Sequence, residues 1–273
     1  MNFNKIILVT GAIAVSTFVI APVQAATILS HWTFDETGGT IAADSVGGQN
    51  GILQGNATLV GGGISGNAIS LSQATNDLVN MGNIYGFTNS NFSISAWINS
   101  TVLNDNFVVA KHTAGIVSGY MVFVNGINPG ERQLTKAGFY APFPNRHVLH
   151  GNTTVTDGDW HQIAVVYEQG GNSLLYVDGI LDAITASDPI GATSAPFLVG
   201  GVAVGSQPTG LYTGLIDDVQ VYSGALSASD IQFLYHNPGL AIGESSSIPE
   251  PSSILGILSL GVLGIGAALK RKS

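Results

Sequence analysis

The feature that most constrains this 273-residue chain is the spacing of its apolar residues, which fall in short runs broken by turn formers every 8 to 15 positions. No sustained helical period appears before residue 226. Such a chain buries its apolar residues by pairing short strands, so the pattern predicts an antiparallel sandwich or barrel. Strands are expected at 28–34, 67–72, 92–98, 106–112, 119–124, 160–167, 173–178, 196–201 and 215–222. Between many of them, Asn50-Gly51, Asn125-Gly126, Pro129-Gly130, Asp157-Gly158 and Asp178-Gly179 supply residues that tolerate positive φ. In NFSISAWI (91–98), Phe92, Ile94, Ala96 and Ile98 share one face and Trp97 takes the other. The single helix expected is LSASDIQFLYH (226–236), with Ser227 as N-cap, Asp230 three residues on, and Asn237-Pro238-Gly239 as its stop. Residues 125–156 read as the least regular part, a long loop concentrating Arg132, Lys136, Phe139, Tyr140, Phe143, Arg146, His147 and His150.

The two ends follow other rules. Lys5, the apolar run Ile6–Ala21 and the small residues Val23 and Ala25 read as a secretory signal over residues 1–25. At the other end, Pro249-Glu250-Pro251 precedes 16 uncharged residues, Ile254–Leu269, and the basic triplet Lys270-Arg271-Lys272. That run is just short of the roughly 17–25 residues of a membrane span, and the triplet would stay cytoplasmic, leaving the domain outside. The expected organisation is a signal at 1–25, one domain at 26–238, a polar linker at 239–248 and a tail at 249–273. Roughly 220 residues suit one all-β domain, and a chain of that size buries roughly 70% of its unfolded surface without disulfides. The chain has no Cys. Between Ala26 and Ile248 there are 16 acidic and 4 basic residues, a balance of 4 − 16 = −12, which excludes nucleic acid as a partner because phosphate binding needs a basic footprint.

Six ordered stretches carry a family likeness: HWTFDETGGTIAADSVGGQNGIL (31–53), GISGNAISLS (63–72), NFSISAWI (91–98), DGDWHQIAVVY (157–167), SLLYVDGIL (173–181) and LYTGLIDDVQVYSGALSASDIQFLY (211–235). Together they resemble the LamG-like jelly-roll domains of the concanavalin A-like lectin and glucanase superfamily over about residues 27–237. The resemblance implies an all-β fold, a two-sheet antiparallel jelly-roll sandwich with one short C-terminal helix. The tail, with its Pro-Glu-Pro, short apolar helix and basic end, resembles the PEP-CTERM sorting signal. This implies an exosortase-type sorting protease as partner, transient membrane anchoring by the C-terminal helix, and release or attachment at the bacterial cell surface.

The superfamily includes glycosidases, whose retaining members need two carboxyl groups about 5 Å apart. The related enzymes place them at alternate positions of one strand in an E-x-D-x-E type pattern. The five Glu residues, Glu36, Glu131, Glu168, Glu244 and Glu250, form no such pattern, and Asp157 and Asp159 flank a turn glycine. There is no Cys nucleophile, no G-x-S-x-G elbow and no His-containing metalloprotease motif. The reading is therefore of a non-catalytic module for adhesion or binding to extracellular polysaccharide or glycoprotein. Its alternatives are a lectin with a specific glycan ligand and, further off, an extracellular glycoside hydrolase. Glycan contacts would use Phe139, Tyr140 and Phe143, with Tyr212 as a further candidate and Arg132 and Arg146 as polar partners. Hard cations take several oxygens, and the resemblance implies one structural calcium where first and last strands meet, here at Asp35, Asp217 or Asp218, with Asp44 as a further ligand.

Overall fold

A computed structural model describes residues 26–126, 133–141 and 147–243. The elements are β1 (Thr27–Trp32), β2 (Ile41–Ala42), β3 (Gly51–Gln54), β4 (Thr58–Gly61), β5 (Asn67–Leu71), β6 (Leu78–Asn80), β7 (Phe92–Asn99), β8 (Asn106–Lys111), β9 (Thr113–Ala114) and β10 (Tyr120–Val124). They continue with β11 (Lys136–Ala141), β12 (His147–Thr154), β13 (His161–Tyr167), β14 (Asn172–Val177), β15 (Ile180–Ala186), β16 (Leu198–Val199), β17 (Gly201–Val204), β18 (Gln207–Gly210), β19 (Gly214–Ser223) and α1 (Ala228–His236). Sheet A runs β15-β14-β13-β7-β19-β5-β4, with β1 also paired to β19, and sheet B runs β12-β11-β10-β8-β16-β6-β3-β2. Both are antiparallel, and a three-stranded sheet of β18, β17 and β9 accompanies them. This is the expected two-sheet sandwich.

The core between the sheets follows from the two-residue period. Phe92, Ile94, Ala96 and Ile98 of β7 face inward with Ile163, Val165 and Tyr167 of β13, and meet Val122, Val124, Phe139 and Leu149 of sheet B. Aromatic rings run through this layer: Trp32 stacks on Phe197 at 6.0 Å, Phe92 on Phe87 at 4.6 Å and on Tyr167 at 5.1 Å. Trp97 points to the other face, where it stacks on Tyr235 of α1 at 5.6 Å. The helix begins as expected. Ser227 Oγ accepts from the Asp230 N–H at 3.2 Å and the Ser227 N–H donates back to Asp230 Oδ2 at 2.8 Å, closing a capping box.

The stretch read as an irregular loop instead holds two strands of sheet B, β11 and β12. In β11 the residues from Ala137 to Ala141 are all buried, so the alternation that marks a half-exposed strand is missing. In β12, Gly151 and Asn152 mask the pattern. Phe139 lies in the main core and Tyr140 in an apolar cluster with Phe107, Ala110, Met121, Phe123 and Val202. At 2% and 5% exposure these two rings offer no open platform for a sugar, which corrects their expected role as ligand-binding residues. Tyr212 is fully buried too. Arg132, Phe143 and Arg146 lie outside the described residues, as do the signal, the Pro249-Glu250-Pro251 motif and the tail.

Candidate functional site

The carboxylates expected at one calcium site occupy two different environments. Asp44 sits in the turn after β2, where five donors converge on it: Ser30 Oγ at 2.5 Å and Gln49 N at 2.9 Å on Oδ2, with His31 N at 2.9 Å and Val46 N and Gly47 N at 3.0 Å on Oδ1. Burial works against its ionisation, but the hydrogen bonds from Ser30, His31, Gln49 and Val46 outweigh it and hold the carboxyl below its ordinary range. Asp44 is thus a turn organiser that accepts five hydrogen bonds.

Asp217 and Asp218 occupy a bulge in β19, where the register against β7 shifts. Ile216 and Val219 both face the core, three residues apart rather than two, so the two acids between them both lie off it. Asp218 takes φ +49° to allow this. Its Oδ1 is bonded to His31 Nε2 at 2.6 Å and Gln220 Nε2 at 2.7 Å, and its Oδ2 accepts the Gly239 N–H at 2.9 Å. Asp217 is poorer in donors, taking Ser65 N at 3.2 Å and Asp218 N at 2.7 Å. Burial pushes its carboxyl up to about 7, helped by the like charges of Asp218 and Asp35.

Asp35 stands on the other side of the same turn, exposed, with Oδ1 accepting the Asn67 N–H at 2.8 Å. The turn between β4 and β5 is held close by both acids. A Cβ at Gly63 would lie 2.5 Å from Asp217 Oδ2, and one at Gly66, whose φ is +74°, would lie 2.1 Å from Asp35 Oδ1. Phe34, next to Asp35, is a bulky buried residue at φ +54°. Positive φ at Phe34 and Asp218 costs on the order of 1–3 kcal/mol each and collects where function needs a strained backbone. Among the described residues no three His, Cys, Asp or Glu side chains gather as a metal-ligating group. Asp35 and Asp217 are the two carboxylates that flank this turn; a calcium ion, which takes six to eight oxygens, would have to draw the rest from carbonyls and water.

His161 and His150 fall elsewhere. His161 is pinned between Asp178 Oδ2 at 2.8 Å from Nδ1 and Asp157 Oδ1 at 3.1 Å from Nε2. The Asp178 bond, against the cost of burial and with Asp157 adding to it, raises this ring to about 9. Bonded at both nitrogens, the ring ties two turns together. His150 is packed edge-on to Phe123 at 5.7 Å.

Of the outward row on β19, sequence reasoning singled out Asp218 but not Gln220 or Tyr222. Asp218, Gln220 and Tyr222 alternate with the core residues Val219 and Val221. Gln220 Nε2 donates to Leu240 O at 3.0 Å, the Tyr222 hydroxyl accepts the Ile242 N–H at 3.0 Å, and Tyr222 also donates to Gln220 Oε1. The alternation was visible in DDVQVY; the segment that covers it was not. Among the described residues no helix is long and apolar enough to cross a membrane.

Comparison with known proteins gives a consistent picture. Among solved structures, domain 4 of AbnA, a GH43 extracellular arabinanase from Geobacillus stearothermophilus solved with arabinotriose, aligns with a TM-score of 0.58 and 21% identity over 78% of this chain and 100% of that one. The receptor-binding domain of botulinum neurotoxin D aligns with a TM-score of 0.55 and 16% identity over 77% of this chain and 52% of that one. At such identities the likeness is one of fold. The adhesion G-protein coupled receptor V1 of Danio rerio is 27% identical over 158 residues, which is 55% of this chain and 2% of that receptor. A family model described as the concanavalin A-like lectin/glucanases superfamily matches residues 68–232, and a PEP-CTERM protein-sorting motif matches 247–272. The chain belongs to the concanavalin A-like lectin and glucanase superfamily and carries a PEP-CTERM sorting motif.

Proposed function

We propose that this protein is an exported, surface-sorted, non-catalytic binding or adhesion module of the bacterial cell envelope or extracellular matrix, handed by its tail to an exosortase-type protease. The observation that carries the reading is the union, in one chain, of a lectin-type sandwich with a sorting motif. Before processing, the C-terminal apolar run anchors the chain in the membrane; afterwards the domain is at the surface or released. Two features support a non-catalytic role. Among the described residues Asp44, Asp182, Asp217 and Asp218 accept hydrogen bonds from turns and neighbouring strands, and His161 is bonded to both Asp157 and Asp178.

Apolar packing covers part of the outer face of sheet B and α1 part of that of sheet A, and Phe139, Tyr140 and Tyr212 are buried. The residues offered for a polysaccharide or glycoprotein narrow to Arg132, Phe143 and Arg146. Pull-down of the secreted protein on exopolysaccharide from the producing cells tests this. Retention that drops at least tenfold in Arg132→Ala with Arg146→Ala is expected, and no retention of the unaltered protein defeats the reading. The AbnA domain solved with arabinotriose and a botulinum neurotoxin D domain solved with N-acetylneuraminic acid favour a second reading, a lectin with one glycan ligand. Saturable binding of a single oligosaccharide on an array would select it. The hard-cation proposal narrows from four carboxylates to Asp35 and Asp217 on the β4–β5 turn. A melting curve that shifts down on adding EGTA and recovers with calcium supports it, and an unchanged curve sinks it.

A further inference from the structure

The segment after α1 does not leave the domain as a free linker. Its backbone is held by the outward row of β19 in sequence order: the Gly239 N–H by Asp218, the Leu240 carbonyl by Gln220 and the Ile242 N–H by the Tyr222 hydroxyl. Segment and strand therefore run alongside each other over 218–222. Ala241 is 2% exposed, and Ile242 packs in the cluster that also takes Ala26, Ile28, Tyr222 and Ala225. Because these bonds reach backbone groups, the small-residue sequence of the segment does not prevent docking.

The track exists only in the closed sandwich. Asp218 is itself held by His31 of β1, and β1 pairs with β19 across nearly the whole chain. Ile242 rests beside Ala26 and Ile28, the first described residues. Docking of 239–243 thus reports that first and last strands have joined. Five residues, 244–248, then separate the fold from Pro249, a reach of at most about 17 Å. With the segment lifted, the free stretch 238–248 would reach about 37 Å.

We propose that the Asp218–Gln220–Tyr222 row is a clasp that holds the sorting motif close to the folded domain and so controls how readily a membrane-bound processing enzyme reaches it. The proposal rests on the sorting reading above for its enzyme, and its physical part stands without it. In hydrogen exchange on the full chain, the Gly239 and Ile242 amides are expected to be protected. In Gln220→Ala with Tyr222→Phe, the Ile242 amide should exchange at least tenfold faster while β1 and β7 exchange as before. Thermolysin should cut that variant within 237–243 and leave the unaltered protein intact there. Amides 239 and 242 exchanging as a free chain in the unaltered protein would overturn the clasp.

Pulse–chase in the producing cells reads the second half. The unclasped variant, and a chain with six Gly/Ser residues inserted after Gly243, should both lose the tail at least twofold faster. Equal rates in all three would overturn control of access. Pro249→Ala with Pro251→Ala separates the two ideas: tail removal that persists in that variant defeats the sorting reading, whereas the exchange result judges the clasp alone.

Discussion

The outer faces of the two sheets are covered in opposite ways. On sheet B, Phe107, Ala110, Met121, Phe123 and Tyr140 form an apolar patch closed by Val202 of β17, with Val148 and Leu211 at its margin. On sheet A, α1 covers an apolar part around Ala164, Val166 and Tyr176, while the row Asp218, Gln220 and Tyr222 holds 239–243 through hydrogen bonds. The apolar cover cannot lift without exposing a large hydrophobic area to water. The segment 239–243 buries only Ala241 and part of Ile242 beside its hydrogen bonds, each worth a net of about 0.5–1.5 kcal/mol, so it is expected to open more readily. One cover is expected to stay with the fold and the other to open.

The largest effect is expected from Phe123→Ala. It empties a fully buried ring from the sheet B face, and denaturant unfolding should show a loss of about 3–5 kcal/mol. A loss below about 1 kcal/mol would mean that the β17 cover is loose. On the sheet A side, Asp218→Ala strips the buried His31, Gln220 and the Gly239 N–H of a shared acceptor. About 2–3 kcal/mol should be lost in the same assay, with 239–243 released to exchange.

At the rim of sheet A, the His161 imidazolium gives a pH signature. Its titration is raised in the folded state, to about 9, so the stability it contributes is full below about 6.5 and disappears as pH rises through 9. The denaturation midpoint should fall between pH 6 and pH 9.5, and His161→Gln should flatten that slope while lowering the midpoint at pH 6. The smallest effect is Tyr222→Phe. Removing the hydroxyl should cost at most about 1 kcal/mol globally, yet free the Ile242 amide in hydrogen exchange. A large global loss would mean that the segment is a permanent element like the cover of sheet B.

Much of the fold was legible from residue pattern. The inward set of β7 and β13, the turn at Asp178-Gly179 and the capped helix at Ser227 follow from two-residue alternation and cap chemistry, and the structure has them in place. Strands β11 and β12 were not legible: β11 is buried on both faces and has no alternation to display, and Gly151 and Asn152 interrupt the pattern of β12. Phe139 and Tyr140 consequently read as loop aromatics, although their rings close two different cores.

The carboxylates show a different limit. Aspartates near the first and last strands look alike in sequence, and only the donors around them separate Asp44, satisfied by five hydrogen bonds, from Asp217, which has two. The docked segment was hidden for a related reason. Its bonds are made by backbone groups, which leave no trace in side-chain composition.

The central claim, a folded binding domain delivered to the surface by a tail that is then removed, is tested most directly by intact-mass analysis of the protein recovered from its producing cells. The account predicts a chain that begins at Ala26 and ends at or near Pro249-Glu250-Pro251. A mass that still includes residues 254–273 would contradict it.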